Sequence, residues 1–247
     1  MSGNAKSAAV FGVTSRIGRE VALRLAEAGH TVWVGARDFG EAERIAEDIS
    51  VRTGQRAVAG TFEARSVESH SELVTAIEGA VGPLAFAVLA FGDMGDESQR
   101  DAAMLRQVVE VNFLGAASLA ERIADRMVTR GAGVIAALGS VAGDRGRQSN
   151  YAYGSAKGAL ALYLQGLRNR VFAHGVHVCT IKLGFVDTRM TWGLDTKIPV
   201  ATPEGASRAV MAAMAARTDE LYWPPFWRGV MGVIKAIPER GFKRLKL

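Results

Sequence analysis

Seven short apolar runs, separated by longer amphipathic stretches, constrain this chain more than any other feature. The runs are SAAVFGV from Ser7, TVWVGAR from Thr31, RAVAGTF from Arg56, LAFAVLAF from Leu84, GVIAALG from Gly133, VHVCTIKL from Val176 and ELYW from Glu220. Their apolar residues are continuous and not alternating, so a strand made from them is buried on both faces. A parallel sheet covered by helices on each side has that requirement. Helical patterns fill the gaps, the longest around Asp101–Thr129 and Asn150–Phe172. No repeat, low-complexity segment or linker interrupts the alternation. The expectation is one α/β domain spanning 1–247, a doubly wound parallel sheet of about seven strands with ligands at the carboxyl ends of the strands.

The first run passes into Gly12-Val13-Thr14-Ser15-Arg16-Ile17-Gly18 and then a helical pattern. Strand, glycine turn and helix in that order form the context of a Rossmann-type dinucleotide site. Gly12 allows the tight turn, Gly18 allows close helix packing, and the helix N-terminus presents N–H groups to a pyrophosphate. The pattern lacks its middle glycine, where Arg16 stands. The second run ends Gly35-Ala36-Arg37-Asp38. An arginine there suits the extra phosphate of NADP, and Arg16 adds a second cation. Asp38 argues for NAD unless it caps a helix with Glu41 three residues on. NADP(H) is favoured and NAD(H) stays open.

SVAGDRGRQSNYAYGSAK, from Ser140, places Tyr153 thirteen positions after Ser140 and Lys157 one helical turn after Tyr153. A phenol, with an ordinary pKa of about 10, is a poor proton donor at neutral pH, and a fixed ammonium beside it would lower that value. Ser140 could then hold a carbonyl oxygen while Tyr153 passes the proton. Alone, the same spacing also fits a surface Tyr–Lys pair on an ordinary helix.

Gly12, Gly18, Asn112, Ser140, Tyr153 and Lys157, in this order on alternating strands and helices, resemble the short-chain dehydrogenase/reductases over nearly the whole chain. The resemblance implies that Tyr153 is the general acid/base, Lys157 tunes it and holds the nicotinamide ribose, and Ser140 positions the carbonyl. It implies that Asn112 supports Lys157 through a water-linked proton path. Its cofactor contacts fall on Gly12, Thr14, Ser15, Arg16, Ile17 and Gly18 in the first turn, on Arg37, and on Glu63 near the adenine. Further contacts are expected from Ala90, Phe91 and Gly92 after the fourth strand, and from Gly184, Val186 and Thr188 after the sixth. The family's Asn-Asn-Ala-Gly is Leu89-Ala90-Phe91-Gly92 here, and its Pro-Gly is Leu183-Gly184. Within the family, AFGDMGD, GFVDTRM and the ending from Leu221 are most similar to reductases of polyprenylphosphoryl 2-keto pentoses, which work in cell-wall arabinan synthesis beside a flavin oxidase partner. A soluble ketone or 3-oxoacyl substrate is the alternative, and a non-catalytic nucleotide sensor the second.

One cysteine, Cys179 in an apolar run, excludes an internal disulfide framework, and the four histidines lack metal-ligand spacing, so no metal is expected. Net charge is +5 without a nucleic-acid recognition motif. No run of 18 apolar residues and no signal peptide is present, so a cytoplasmic chain is expected. Homo-oligomerisation is expected as well. Five Lys/Arg against one Glu occupy 235–247. With Tyr222, Trp223, Phe226 and Trp227 upstream, residues 222–247 suit either a bilayer headgroup boundary or packing on the domain or a second subunit. Residues 188–203 are too long for a plain connector and read as a substrate lid, Thr202–Pro203 starting the next helix. Trp192 is expected to wall the sugar site. Arg145 and Arg147 either face the substrate phosphate or form a solvated basic loop.

Overall fold

The computed structural model describes residues 6–95, 100–192 and 198–245. All seven apolar runs form strands: β1 Ser7–Phe11, β2 Thr31–Ala36, β3 Ala57–Thr61, β4 Leu84–Leu89, β5 Gly133–Ser140, β6 Val176–Leu183 and β7 Glu220–Trp223. They make one parallel sheet in the order β3-β2-β1-β4-β5-β6-β7, a Rossmann-type arrangement. The chain reverses direction of travel across the sheet between β1 and β4, which opens a crevice at their carboxyl ends.

Helices α1 Arg16–Glu27 and α2 Phe39–Thr53 cover one face together with α7 Pro203–Ala215, burying Val21, Leu25, Ile49 and Val210. The other face carries α3 His70–Val81, α5 Ala116–Arg130 and α6 Tyr151–Val171, with Ile77, Ile123 and Leu164 inside. β6 is buried at all eight positions, as its continuous apolar run requires. Cys179 lies within it, and burial, first among the causes, pushes its thiol up to about 12.

The long helical pattern from Asp101 is not one helix. Helix α4 (Ala102–Val109), capped by Asp101, gives way to a π-helical turn at Glu110–Gly115 before α5 begins. Apolar periodicity survives such a bulge, so the sequence pattern reads straight through it. Thr202 caps α7, its hydroxyl accepting from Gly205 N at 3.1 Å. Val186 bridges Ala201, closing the base of the preceding loop; residues 193–197 of the expected lid lie outside the described residues.

The chain ends with α8 Trp227–Ala236 and α9 Glu239–Phe242 docked on the domain itself. Trp227 and Met231 are buried against Val141 and Tyr222. Two of the four aromatics assigned to a bilayer boundary, Tyr222 and Trp227, are therefore core residues, and the domain-packing alternative accounts for them. Among the described residues no helix is long and apolar enough to cross a membrane, and no group of His, Cys, Asp or Glu could hold a metal ion.

Candidate active site

Three glycines bring the serine turn onto α6. A Cβ on Gly143 would lie 2.7 Å from Gly158 N, one on Gly158 would lie 2.8 Å from Gly143 O, and one on Gly154 would lie 2.8 Å from Ala142 O. Any side chain there would push the Val141–Asp144 turn off the helix. The turn follows directly from Ser140, the last residue of β5, whose Oγ accepts from Ala142 N at 3.1 Å. This contact sets Ser140 and Tyr153 side by side, their hydroxyls hydrogen-bonded. Tyr153 is 7% exposed and Lys157 4%.

The electrostatics of the pair correct one expectation. Burial pushes the Tyr153 phenol up to about 12, opposed only by its bond to Ser140. Lys157 Nζ stands 5.9 Å from the phenol ring centroid and donates to Leu138 O at 3.0 Å. Burial pushes Lys157 itself down to about 8. Desolvation disfavours the charged form of each group, which raises the phenol and lowers the ammonium.

Asn112 sits in the π-helical turn and is fully buried. Its Nδ2 donates to Val108 O at 2.8 Å and to Asp93 O at 2.5 Å, and its Oδ1 accepts from Asp93 N at 3.1 Å. Asn112 therefore fastens the segment after β4. Gly92 packs between them: a Cβ there would lie 2.9 Å from Asn112 Oδ1 and 3.3 Å from Lys157 Nζ.

The glycine turn fits a dinucleotide. Gly12 holds φ +89°, and a Cβ on it would meet Phe91 Cβ at 2.8 Å and Phe91 N at 2.9 Å. A Cβ on Gly18 would meet Gly12 O at 2.7 Å and Ala90 Cβ at 3.0 Å. Only glycines let β1, α1 and the turn after β4 converge this closely, and they leave the N-terminus of α1 open to a pyrophosphate. Ser15 caps that helix by accepting from Gly18 N, Thr14 is exposed, and Ile17 is buried.

Other expected cofactor residues divide. Arg37 is exposed at the end of β2, while the Asp38 carboxylate accepts from Glu41 N at 3.1 Å as the cap of α2. Arg16 is not a free second cation. It pairs with Asp187 at 3.1 Å and lies 4.0 Å from Glu204, joining the phosphate turn to the segment after β6. Glu63 turns back to accept from Arg65 N at 3.0 Å. Gly184 is covered by the Trp227 indole, which occupies the space a Cβ would need, so that face belongs to the chain end and not to a ligand. Val186 is buried, and Thr188 N donates to Thr191 Oγ1 at 3.2 Å.

The expected substrate residues also divide. Arg145 does not face the site: its guanidinium is consumed by the chain end, donating to Ile234 O, Lys235 O and Ile237 O at 3.2, 3.0 and 2.8 Å. Trp192 is 88% exposed and walls nothing among the described residues. Arg147 is half-buried beside the serine turn, with its Nε buried and without a hydrogen-bond partner. Burial lowers its pKa, and Asp144 opposes the shift.

Sequence reading missed a buried polar cluster behind the turn. Asp144 pairs with Lys182 Nζ at 2.7 Å and accepts from the Tyr222 hydroxyl at 2.7 Å; the two charged side chains are 4% and 10% exposed. Burial would lower the Lys182 pKa, but Asp144, Glu220 and Tyr222 outweigh it and raise the value. The signal was present as a lone lysine inside VHVCTIKL, since a charge in a buried strand demands a partner.

A family model described as short chain dehydrogenase matches residues 6–199. An uncharacterized oxidoreductase of Mycobacterium tuberculosis is 33% identical over 241 residues, covering 96% of this chain and 95% of its own. The ketoacyl reductase HetN of Nostoc is 25% identical over 225 residues, covering 87% and 77%. A solved structure of a variant actinorhodin polyketide ketoreductase with NADPH superposes with a TM-score of 0.80 at 24% identity, covering 90% of this chain and 97% of that one. Fold and glycine turn define a Rossmann-type dinucleotide-binding domain. The chain belongs to the short-chain dehydrogenase family and is an NAD(P)-dependent oxidoreductase.

Proposed function

We propose that this protein reduces a ketone, with Tyr153 as the proton donor and NADPH as the preferred hydride source. The observation that carries the reading is the buried Ser140–Tyr153 pair with Lys157 one turn below it. Ser140 holds the carbonyl oxygen, Tyr153 gives it a proton, and Lys157 and Asn112 fix the surroundings of the phenol. A phenol pushed up to about 12 stays protonated at neutral pH. The protonated phenol is the form that hands a proton to the carbonyl oxygen in reduction. The bound cofactor supplies the hydride. Arg37 favours NADP, and Asp38, already committed to its helix cap, no longer argues for NAD.

For substrate we propose the 2-keto group of a polyprenylphosphoryl pentose, produced by a separate oxidase. Arg147 supports an anionic substrate: its half-buried guanidinium has an unpartnered Nε beside the serine turn, and its planar fork suits phosphate. The chain end keeps Phe226 and Val233 exposed and also exposes Arg228, Lys243 and Arg244, a composition that suits contact with an anionic bilayer. The names of HetN and the polyketide ketoreductase favour a second reading, a soluble 3-oxoacyl or polyketide ketone. NADPH and NADH oxidation should be followed with a lipid-linked 2-keto pentose and with 3-oxoacyl thioesters. Turnover of the lipid-linked sugar supports the first reading; turnover of thioesters alone replaces it with the second; no oxidation of any ketone rejects both.

The protein is further proposed to act as a homo-oligomer. Leu162, 71% exposed on α6, lies in a groove with Phe113 and Tyr163 bordered by the Glu121–Arg170 ion pair. An apolar centre rimmed by charge is the anatomy of a subunit interface.

A further inference from the structure

The turn that follows Ser140 is gripped on its outer side by the end of the chain. Arg145, directly after the Val141–Asp144 turn, spends its whole guanidinium on α8 and α9. Nη1 reaches the carbonyls of Ile234, Lys235 and Ile237, Nη2 donates to Glu239 Oε2 at 2.9 Å, and the group lies 4.0 Å over the Phe242 ring. The last carbonyls of a helix have no partner inside it and carry the negative end of its dipole. Arg145 thus caps α8 from another part of the chain. Asp144 adds Lys235 Nζ at 3.9 Å to its bonds with Lys182 and Tyr222. Val141 packs with Trp227 and Met231. One side of the turn is fixed by α6 through Gly143 and Gly158; the other is fixed by residues 227–242.

We propose that the segment from Trp227 to Phe242 is a clasp that sets the position of Ser140, with Arg145 the positioning residue through which it acts. This rests on the reading of Ser140 as the carbonyl-holding residue, and it holds for either substrate class. Arg145 touches no reacting atom. Its loss frees the last carbonyls of α8 and leaves the outer side of the turn held only by Val141 packing and the Asp144 contacts. Cofactor binding, built from the β1 turn and the N-terminus of α1, shares no residue with the clasp.

The test uses the full chain with Arg145→Ala, Arg145→Lys and, as a surface change on α2 away from the turn, Glu43→Ala. Amide hydrogen exchange is read at 141–147 and 234–242 in the presence of NADPH, together with NADPH affinity and kcat and KM on whichever ketone the wild type reduces. Arg145→Ala should raise exchange in both segments and lower kcat by about tenfold, since a displacement near 1 Å is enough for such a loss. NADPH affinity should stay within twofold. Arg145→Lys keeps the charge but not the fork and should recover part of the loss, and Glu43→Ala should match wild type. Faster exchange at 234–242 with 141–147 and kcat unchanged would overturn the proposal, as would no change in either segment. If Arg145→Ala does not fold, Phe242→Ala removes the opposite end of the contact and is read at the same amides. A wild type without turnover on any ketone counts against the reductase reading, while the exchange comparison still decides the clasp.

Discussion

Burial pushes the Lys157 ammonium down from 10.5 to about 8. Between those values the unfolded chain binds more protons than the folded one at this side chain. Stability therefore rises with pH across that window, and below about pH 8 the full penalty of about 3 kcal/mol is present. Replacing Lys157 by Met keeps the stem volume and removes the charge. Lys157→Met is expected to be more stable than wild type at pH 7 and to lose the extra slope between pH 8 and 10. Urea unfolding of the protein without added cofactor at several pH values checks this; parallel slopes in the two proteins would contradict it. Tyr153 acts in the opposite sense. Its raised value favours the protonated folded state, so its contribution is present below about pH 10 and is lost as pH climbs toward 12. Tyr153→Phe keeps the ring packing and should bind NADPH normally while turnover falls by roughly 10²–10⁴. Wild-type turnover in that variant would remove Tyr153 as the donor.

At the scale of elements, the strands were legible because burial on both faces writes itself as continuous apolar sequence, and β6 and β7 fall where VHVCTIKL and ELYW stand. The glycine turn was legible because its chemistry is local. The π-helical turn was not, since a bulge inside a helix leaves the apolar pattern intact. Nor was the use of Arg145, because its partners lie about ninety residues away and no local pattern records them. The burial of Lys157 was not legible for a related reason: helical spacing gives proximity along the chain but not solvent exclusion. Helix α6 supplies a direct comparison between a glycine the site needs and one it does not. Gly166 has nothing within 4 Å of an added Cβ inside its own subunit, so Gly166→Ala should stabilise the isolated subunit by about 1 kcal/mol through helix propensity. Gly158→Ala gains the same propensity but drives a methyl group against Gly143 O at 2.8 Å. It should shift the serine turn and reduce kcat by roughly tenfold to a hundredfold with NADPH affinity retained. Equal kcat in both variants would show that the approach of the turn to α6 is not what places Ser140.

For the whole molecule, the sheet divides the labour. The half from β3 to β4 builds the nucleotide turn around Gly12 and Gly18, whereas the half from β5 to β7 carries Ser140, the Asp144–Lys182–Tyr222 cluster and the docked chain end. A buried ion pair is weak evidence for stability as a whole, but removing one partner strands the other. Lys182→Ala should therefore lose about 3–5 kcal/mol, and Lys182→Met with Asp144→Asn should recover part of that loss. The α6 surface is left over after both halves are assembled. Leu162 is 71% exposed there, in a groove with Phe113 and Tyr163, whose hydroxyl donates to Glu121 at 2.6 Å. Placing a carboxylate at its centre would set like charges against each other across a two-fold axis and bury them against apolar surface. Sedimentation should find wild type as an oligomer and Leu162→Glu shifted to monomer, with NADPH binding kept because the glycine turn lies on the other half of the sheet. A monomeric wild type would leave this face as solvent-exposed surface, and an oligomeric Leu162→Glu would place the interface elsewhere on the molecule.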